Sequence, residues 1–475
     1  MRHIVKKYIS FSAGLWIKSL LSFFMVPVIS WLVDPSEFGK ATMYSTAYAI
    51  LQILIPFGTP NSFLRFYYQK SEEERSVLLW SCLKVPLLLW GVSSVGLVLS
   101  WEAVSLFLVN IKDYTVVLLL SLHALISIFQ IFNQNLIRLR ERGRLYSAVL
   151  LVESCANPIF LFILLPVSGR TFYSVLYAQV LASLASLMVG VFFERNYWFP
   201  VKVEKRLVTE VVKYGYPFVF SGIVWLILNW IDRIVLRIYV DFSAIGLYST
   251  AFKLSSVLGL FTSGFSTIWY PYAYQQYEKS PESKTIFSKT LNYVSFFVFL
   301  LGFLILGFKD VIFLLFAKTY RSAATISPFL LLSPIMLTLS VVVARGIDFS
   351  KKTYWFIISD GTAALFNLVG NFALIPILGA KGAAISTGLS MIIVFAIESS
   401  ASERLYPVGY NVKRVYLLTS FFVVVALFNT FVMNVIVSSL VSFLGVGMTI
   451  LVYKDESKKV FTEGLETMRE LLHKR

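Results

Sequence analysis

Lys18, Arg233 and Lys253 are basic residues set inside long apolar stretches, with the acid Asp232 next to Arg233. A charge in hydrocarbon is costly, so each such group needs a partner or a wet cavity. Ammonium and guanidinium groups gathered around one cavity would hold an anion. Phosphate suits them through charge-assisted hydrogen bonds. Lys18 has no acid near it in sequence, which favours a ligand over an internal ion pair. For Arg233 and Lys253 the two readings balance, because Asp232 can neutralise one of them. Arg237 stands one turn beyond Arg233 and can snorkel to headgroups, as Lys84 can from its own stretch. Arg65 and Arg345 close their stretches at one face, where such residues usually orient the chain and otherwise would line a cytoplasmic mouth. Asp360 and Glu153 lie about two turns inside theirs by the helical repeat. Either would serve a coupling cation, Na+ or H+, but a helix-to-helix hydrogen bond is the stronger expectation.

A second class of polar residue is neutral. Gln130, Asn133 and Gln134 share one helical face, and Tyr44, Tyr48 and Gln52 share another. Amides beside aromatic rings suit sugar hydroxyls and sugar faces, although hydrogen bonding between helices explains them slightly better. No nucleotide-binding loop is present, and His3, His123 and His473 lack metal-ligand spacing. No metal or organic cofactor is expected, nor is an enzyme. Cys82 and Cys155 lie in apolar runs and read as two buried free thiols.

The elements that must position these residues follow from composition. The 475 residues are 57% hydrophobic and only 14% charged. A soluble chain runs near 25% charged, so a cytosolic enzyme and a disordered chain are both excluded. A bilayer core needs roughly 20 apolar residues as helix. Fourteen stretches qualify: 9–33, 41–66, 77–100, 115–137, 145–166, 172–193, 214–239, 244–270, 290–308, 323–345, 354–378, 381–400, 415–434 and 436–453. The fold class is therefore an all-α polytopic membrane protein. Of the 42 Lys and Arg, 30 fall in alternate loops on one side, 7 on the other and 5 within spans. The positive-inside rule then places both termini in the cytoplasm. It also absorbs most of the +16 net charge without nucleic acid as a partner.

The charged connection 195–213 divides the chain into six-helix lobes at 1–194 and 214–400. Two further helices occupy 401–453, and 454–475 forms a tail. Phe461, Leu465, Met468 and Leu472 give that tail the spacing of an amphipathic helix lying on the inner leaflet. The lobes repeat each other. Val33-Asp34-Pro35-Ser36-Glu37-Phe38-Gly39 matches Val240-Asp241-Phe242-Ser243-Ala244-Ile245-Gly246, and Asn157, Pro166 and Gly169 match Asn367, Pro376 and Gly379. A parallel repeat of this kind places a substrate site between its halves. Gly58-Thr59-Pro60 interrupts the second span and Pro271 falls near the matching place in the eighth, so both are expected to bend.

The segments Asp232-Arg233-Ile234-Val235-Leu236, Ile245-Gly246-Leu247-Tyr248-Ser249, Ala251-Phe252-Lys253-Leu254 and Asn371 to Ser390 resemble the second half of polysaccharide-repeat flippases. Asp34-Pro35-Ser36-Glu37-Phe38-Gly39 fits the same pattern. These flippases are the Wzx-type members of the multidrug/oligosaccharidyl-lipid/polysaccharide exporter superfamily. The resemblance implies two six-helix lobes around a central cavity, plus extra C-terminal helices. It implies translocation of a polyprenyl-diphosphate-linked glycan across the cytoplasmic membrane by alternating access, with membrane lipids and glycan-assembly proteins as partners. The diphosphate would meet Lys18, Arg233 and Lys253. Two relatives compete: a peptidoglycan lipid-precursor flippase, also with fourteen spans, and a multidrug exporter, which usually has twelve spans and an acidic cavity for cationic drugs.

Overall fold

The computed structural model describes residues 2–199, 201, 203–279, 284–432, 434–460 and 462, without the side chains of 2–13, 15 and 16. Every regular element among the described residues is helical. The amphipathic tail pattern at Phe461, Leu465, Met468 and Leu472 lies outside the described residues.

The chain forms two compact units, Met1–Gly246 and Leu247–Arg475. The first holds α1 (Arg2–Leu32), α2 (Pro35–Leu54), α3 (Thr59–Phe66), α4 (Glu74–Leu99), α5 (Trp101–Val109), α6 (Tyr114–Leu139), α7 (Gly143–Ser168), α8 (Phe172–Phe193), α9 (Lys205–Gly215) and α10 (Pro217–Tyr239). α11 (Phe242–Lys279) starts in this unit and continues into the second. The second unit then holds α12 (Thr285–Phe313), α13 (Ser327–Leu330), α14 (Leu332–Val343), α15 (Arg345–Phe349), α16 (Tyr354–Leu378), α17 (Ala380–Leu405), α18 (Val412–Phe431) and α19 (Val435–Val452).

Among the described residues eleven helices are long and apolar enough to cross a membrane, and a bent pair, Lys318–Thr325 with Ser327–Val343, makes a twelfth. The chain is a multi-pass membrane protein. Two of the fourteen expected spans fall outside this count. The described apolar part of α1 is only Ile17–Leu32, and α2 does not qualify. α2 carries Glu37, Lys40, Thr42, Ser45, Thr46 and Gln52; Glu37 accepts from the Phe172 N–H and Ser45 donates to Gln179, both in α8, while Lys40, Thr42, Thr46 and Gln52 bond within α2. α18 and α19 are separate helices, and the Asn434 side chain caps α19 by accepting the Val437 N–H at 3.2 Å.

The break at Gly58 is real. α2 stops at Leu54 and α3 starts at Thr59, with Gly58 in the left-handed region at φ 70°. Gly58 also faces Gly215, where a Cβ on Gly58 would lie 1.9 Å from the Gly215 carbonyl oxygen. The partner helix is α9, which the charged sequence of 195–213 had concealed. Its charged residues Lys205, Arg206, Glu210 and Lys213 share the helix with buried Leu207, Val211 and Gly215, one turn apart. Ser62 in α3 donates to the Val211 carbonyl at 2.7 Å. α9 thus docks on α3 and α4 as part of the first unit. By contrast, α11 runs through Pro271 as one helix.

The repeat has a structural counterpart. α7 and α16 each contain a proline three residues before a positive-φ glycine that ends the helix, at Gly169 (φ 71°) and Gly379 (φ 57°). In both, the chain turns straight into a partner helix, α8 or α17, that packs along the first. The cysteines diverge from expectation: Cys82 is buried, but Cys155 is exposed on the outside of α7. An apolar run in a membrane protein faces lipid as readily as core.

Candidate functional site

Within the first unit, α1, α2, α6, α7 and α8 bring a polar constellation together. Lys18 in α1 reaches Glu153 in α7, Nζ to Oε2 3.0 Å. No acid lies near Lys18 in sequence, which favoured a ligand over an ion pair, but the fold supplies an acid from 135 residues away. Gln130 in α6 donates to the same Glu153 oxygen at 3.2 Å and lies 3.4 Å from Ser186 in α8. Ser186 in turn donates to the Val149 carbonyl at 3.0 Å. The lysine and glutamate side chains remain 37% and 24% exposed. The pair is thus accessible while most of its surroundings are buried.

The aromatic residues of α2 join the same interior. The Tyr48 and His123 rings stack with centroids 3.7 Å apart. The Tyr44 hydroxyl lies 3.4 Å from His123 Nδ1, and His123 Nε2 lies 3.1 Å from the Ser183 hydroxyl. Gln52 donates to the Tyr48 hydroxyl at 3.3 Å, and Ser45 donates to Gln179 at 3.3 Å. The two neutral faces seen in the sequence therefore meet on one side of α6. Asn133 and Gln134 do not join through any hydrogen bond. Asn133 is fully buried, facing Gly190 of α8. His123 is the member that sequence reasoning passed over. Its signal was a lone imidazole inside a span, where burial needs donors and acceptors from several helices.

Asp232 and Arg233 are buried in α10, at 1% and 5% exposure. Arg233 donates to the Asn229 carbonyl at 2.7 Å and lies over the Trp230 ring. Arg237 does not snorkel freely. It donates to the carbonyls of Phe107 at 2.7 Å and Leu106 at 3.1 Å, at the C-terminal end of α5. A guanidinium suits that position because the last carbonyls of a helix lack partners and carry partial negative charge. Arg65 ends α3 and is exposed.

In the second unit Lys253 is half-buried in α11. Arg345 is 5% exposed. It pairs with Asp348, donates to the Val341 carbonyl at 3.1 Å and lies over the Tyr270 ring. Asp348 lies outside the spans; burial raises its pKa, outweighing Arg345, and Tyr274 and Arg345 also hydrogen-bond to it. Asp360 is half-buried in α16. Glu398 in α17, an acid the sequence reading did not single out, is buried at 6% exposure and accepts from Ser359 at 3.3 Å. A further buried chain links Tyr248, Thr387, Asn367 and Asn371 at 3.1 to 3.3 Å.

The model of a family described as polysaccharide biosynthesis protein matches residues 4–277, more than half of the chain. The chain belongs to this family. The match takes in α1 to α10, and so every first-unit element that positions the constellation. Among curated relatives, a probable low-salt glycan biosynthesis flippase, Agl15 of Haloferax volcanii, is 22% identical over 240 residues, 50% of this chain and 51% of the relative. A probable flippase of the same organism, AglR, is 25% identical over 194 residues, 38% of this chain and 40% of the relative. The chain thus spans about half or less of the length of these relatives. Of solved structures, the lipid II flippase MurJ in an inward closed conformation shares the fold with a TM-score of 0.71, at 15% identity, over 96% of this chain and all of that one.

Proposed function

We propose that this chain carries a polyprenyl-diphosphate-linked oligosaccharide across the cytoplasmic membrane by alternating access, with both termini cytoplasmic. The observation that carries the reading is the Lys18–Glu153 pair, accessible beside the membrane-crossing helices α6, α7 and α8, with the Gln130 amide on the carboxylate and the Ser186 hydroxyl next to it. A polar headgroup cannot cross hydrocarbon without partners for its charges and hydroxyls. In this reading Lys18 exchanges Glu153 for a phosphate oxygen, and Gln130 keeps the carboxylate hydrogen-bonded. Gln52 and Gln179 offer amides to sugar hydroxyls, while the prenyl tail stays in lipid. Arg233 and Lys253 are the other phosphate-binding candidates, and Arg65 belongs to the cytoplasmic entry. Na+ or H+ coupling would engage Asp232 or Asp360. The names of the curated relatives, both flippases, support transport rather than catalysis. Glycan-assembly proteins are the partners that fit this role.

The test is reconstitution of the full chain in vesicles with a fluorescent polyprenyl-diphosphate oligosaccharide, scored by protection from an external quencher. Wild-type protein should equilibrate the lipid between leaflets, Lys18→Ala should not, and Lys18→Arg should retain part of the rate. Equilibration no faster than in protein-free vesicles would refute the reading. So would a wild-type rate from folded Lys18→Ala.

A further inference from the structure

Beyond α19 the chain forms another helical segment, 454–460, which frames a groove of about 490 Å3 with the end of α19. The groove is lined by Ile450, Leu451, Lys454, Ser457, Lys458 and Thr462. Lys454 and Lys458 are one turn apart and exposed, so both ammonium groups come from one helix face. Glu456 turns the other way. It is buried and sits 3.5 Å from Arg414 of α18. Among the described residues the groove lining therefore holds two cations and no carboxylate.

The remaining lining refines the ligand. Leu451, 71% exposed in a membrane-crossing helix, gives the groove a hydrocarbon side. Ser457 and Thr462 donate their hydroxyl hydrogens to the carbonyls of Lys454 and Lys458, both at 2.9 Å. Ser457 is buried, but Thr462 is exposed and its oxygen is left to accept from a ligand. A matching molecule has an anionic phosphate, hydroxyl donors beside it and acyl chains that remain in the bilayer. We propose that this groove binds the headgroup of an anionic phospholipid, with phosphatidylglycerol as the best chemical fit. Two interfacial lysines alone attract an anionic surface diffusely. The groove adds a fixed place with the Thr462 acceptor, and from it a headgroup preference. The proposal is independent of what the protein transports.

The experiment is native mass spectrometry of the detergent-purified full chain, titrated with phosphatidylglycerol or phosphatidylcholine of the same acyl chains. Wild-type protein should hold one phosphatidylglycerol in preference. Lys454→Gln/Lys458→Gln should weaken it roughly 5- to 30-fold, at about fivefold per lysine near an anionic lipid. Lys351→Gln/Lys352→Gln, an exposed basic pair elsewhere, should leave it unchanged. Leu451→Ser should weaken lipid of either headgroup. Equal binding of the two lipids by wild-type protein overturns the proposal. Equal losses in the two lysine double variants overturn it too, since they show diffuse attraction only. Displacement by equimolar inorganic phosphate would overturn the lipid assignment in favour of a free-anion site.

Discussion

Replacing Lys18 with alanine leaves Glu153 in the first unit with Gln130 as its hydrogen-bond donor and no cation. Removing one partner of a fully buried pair costs about 3–5 kcal/mol, because the other charge is stranded. Here the side chains keep 37% and 24% of their exposure, and water recovers part of that cost, as it does for surface pairs. Between those limits the loss is about 2 kcal/mol. For a unit of this size that corresponds to roughly 4–8 °C in Tm. Lys18→Ala/Glu153→Gln removes the stranded charge and keeps a side-chain amide near Gln130. It should regain about half of the loss. The assay is thermal aggregation of purified protein followed by size-exclusion chromatography, across wild type, both single variants and the double variant. A coupling energy within the roughly 0.3–0.5 kcal/mol scatter of independent sites would show that the pair does not form. The same four proteins separate stability from transport. If Lys18 contacts substrate, the double variant regains about half of the lost Tm while translocation stays lost.

Two further perturbations test the positioning framework. A Cβ on Gly39 would lie 1.8 Å from the Phe242 carbonyl oxygen, backbone against backbone. Gly39→Ala should cost about 3 kcal/mol or more and show as a lower yield of monodisperse protein; normal yield and Tm would contradict the close approach of α2 to the start of α11. Asp113 caps α6, and although its burial raises the pKa, hydrogen bonds from Tyr173 and the Thr115 N–H win and hold it below the ordinary 3.8. A depressed acid contributes stability above its unfolded pKa and loses it as pH falls through the folded one. Wild-type Tm should therefore drop more steeply than that of Asp113→Asn as pH is lowered past 3.8, and parallel pH profiles would refute the assignment.

Much of the fold is legible in the sequence because hydrocarbon imposes a simple rule on composition. Apolar runs of spanning length mark α4, α6, α7 and α8 directly. The rule fails where a helix is satisfied by neighbours instead of lipid. α2 is polar because its groups meet α6 and α8, and α9 is charged because only one of its faces is buried. The site is legible in parts. The periodicity of Tyr44, Tyr48 and Gln52 places them on one face, as the structure does. Pairing is not legible, because Lys18 and Glu153 are brought together by helix packing and nothing local announces it. Arg237 shows the same limit, since its acceptors are carbonyls at the end of α5, a helix lying in what had read as a loop.

The formal neutrality of the Lys18–Glu153 pair has an electrical consequence. A bound diphosphate carries about two negative charges, and a neutral pair does not cancel them. In the proposed transport, moving that headgroup outward moves net negative charge through the membrane field. Each elementary charge is worth about 2.3 kcal/mol per 100 mV, so two contribute roughly 4 to 5 kcal/mol at that potential. With the inside negative, the resting voltage itself would favour export, and dissipating it would slow the outward step even with every residue of the site in place.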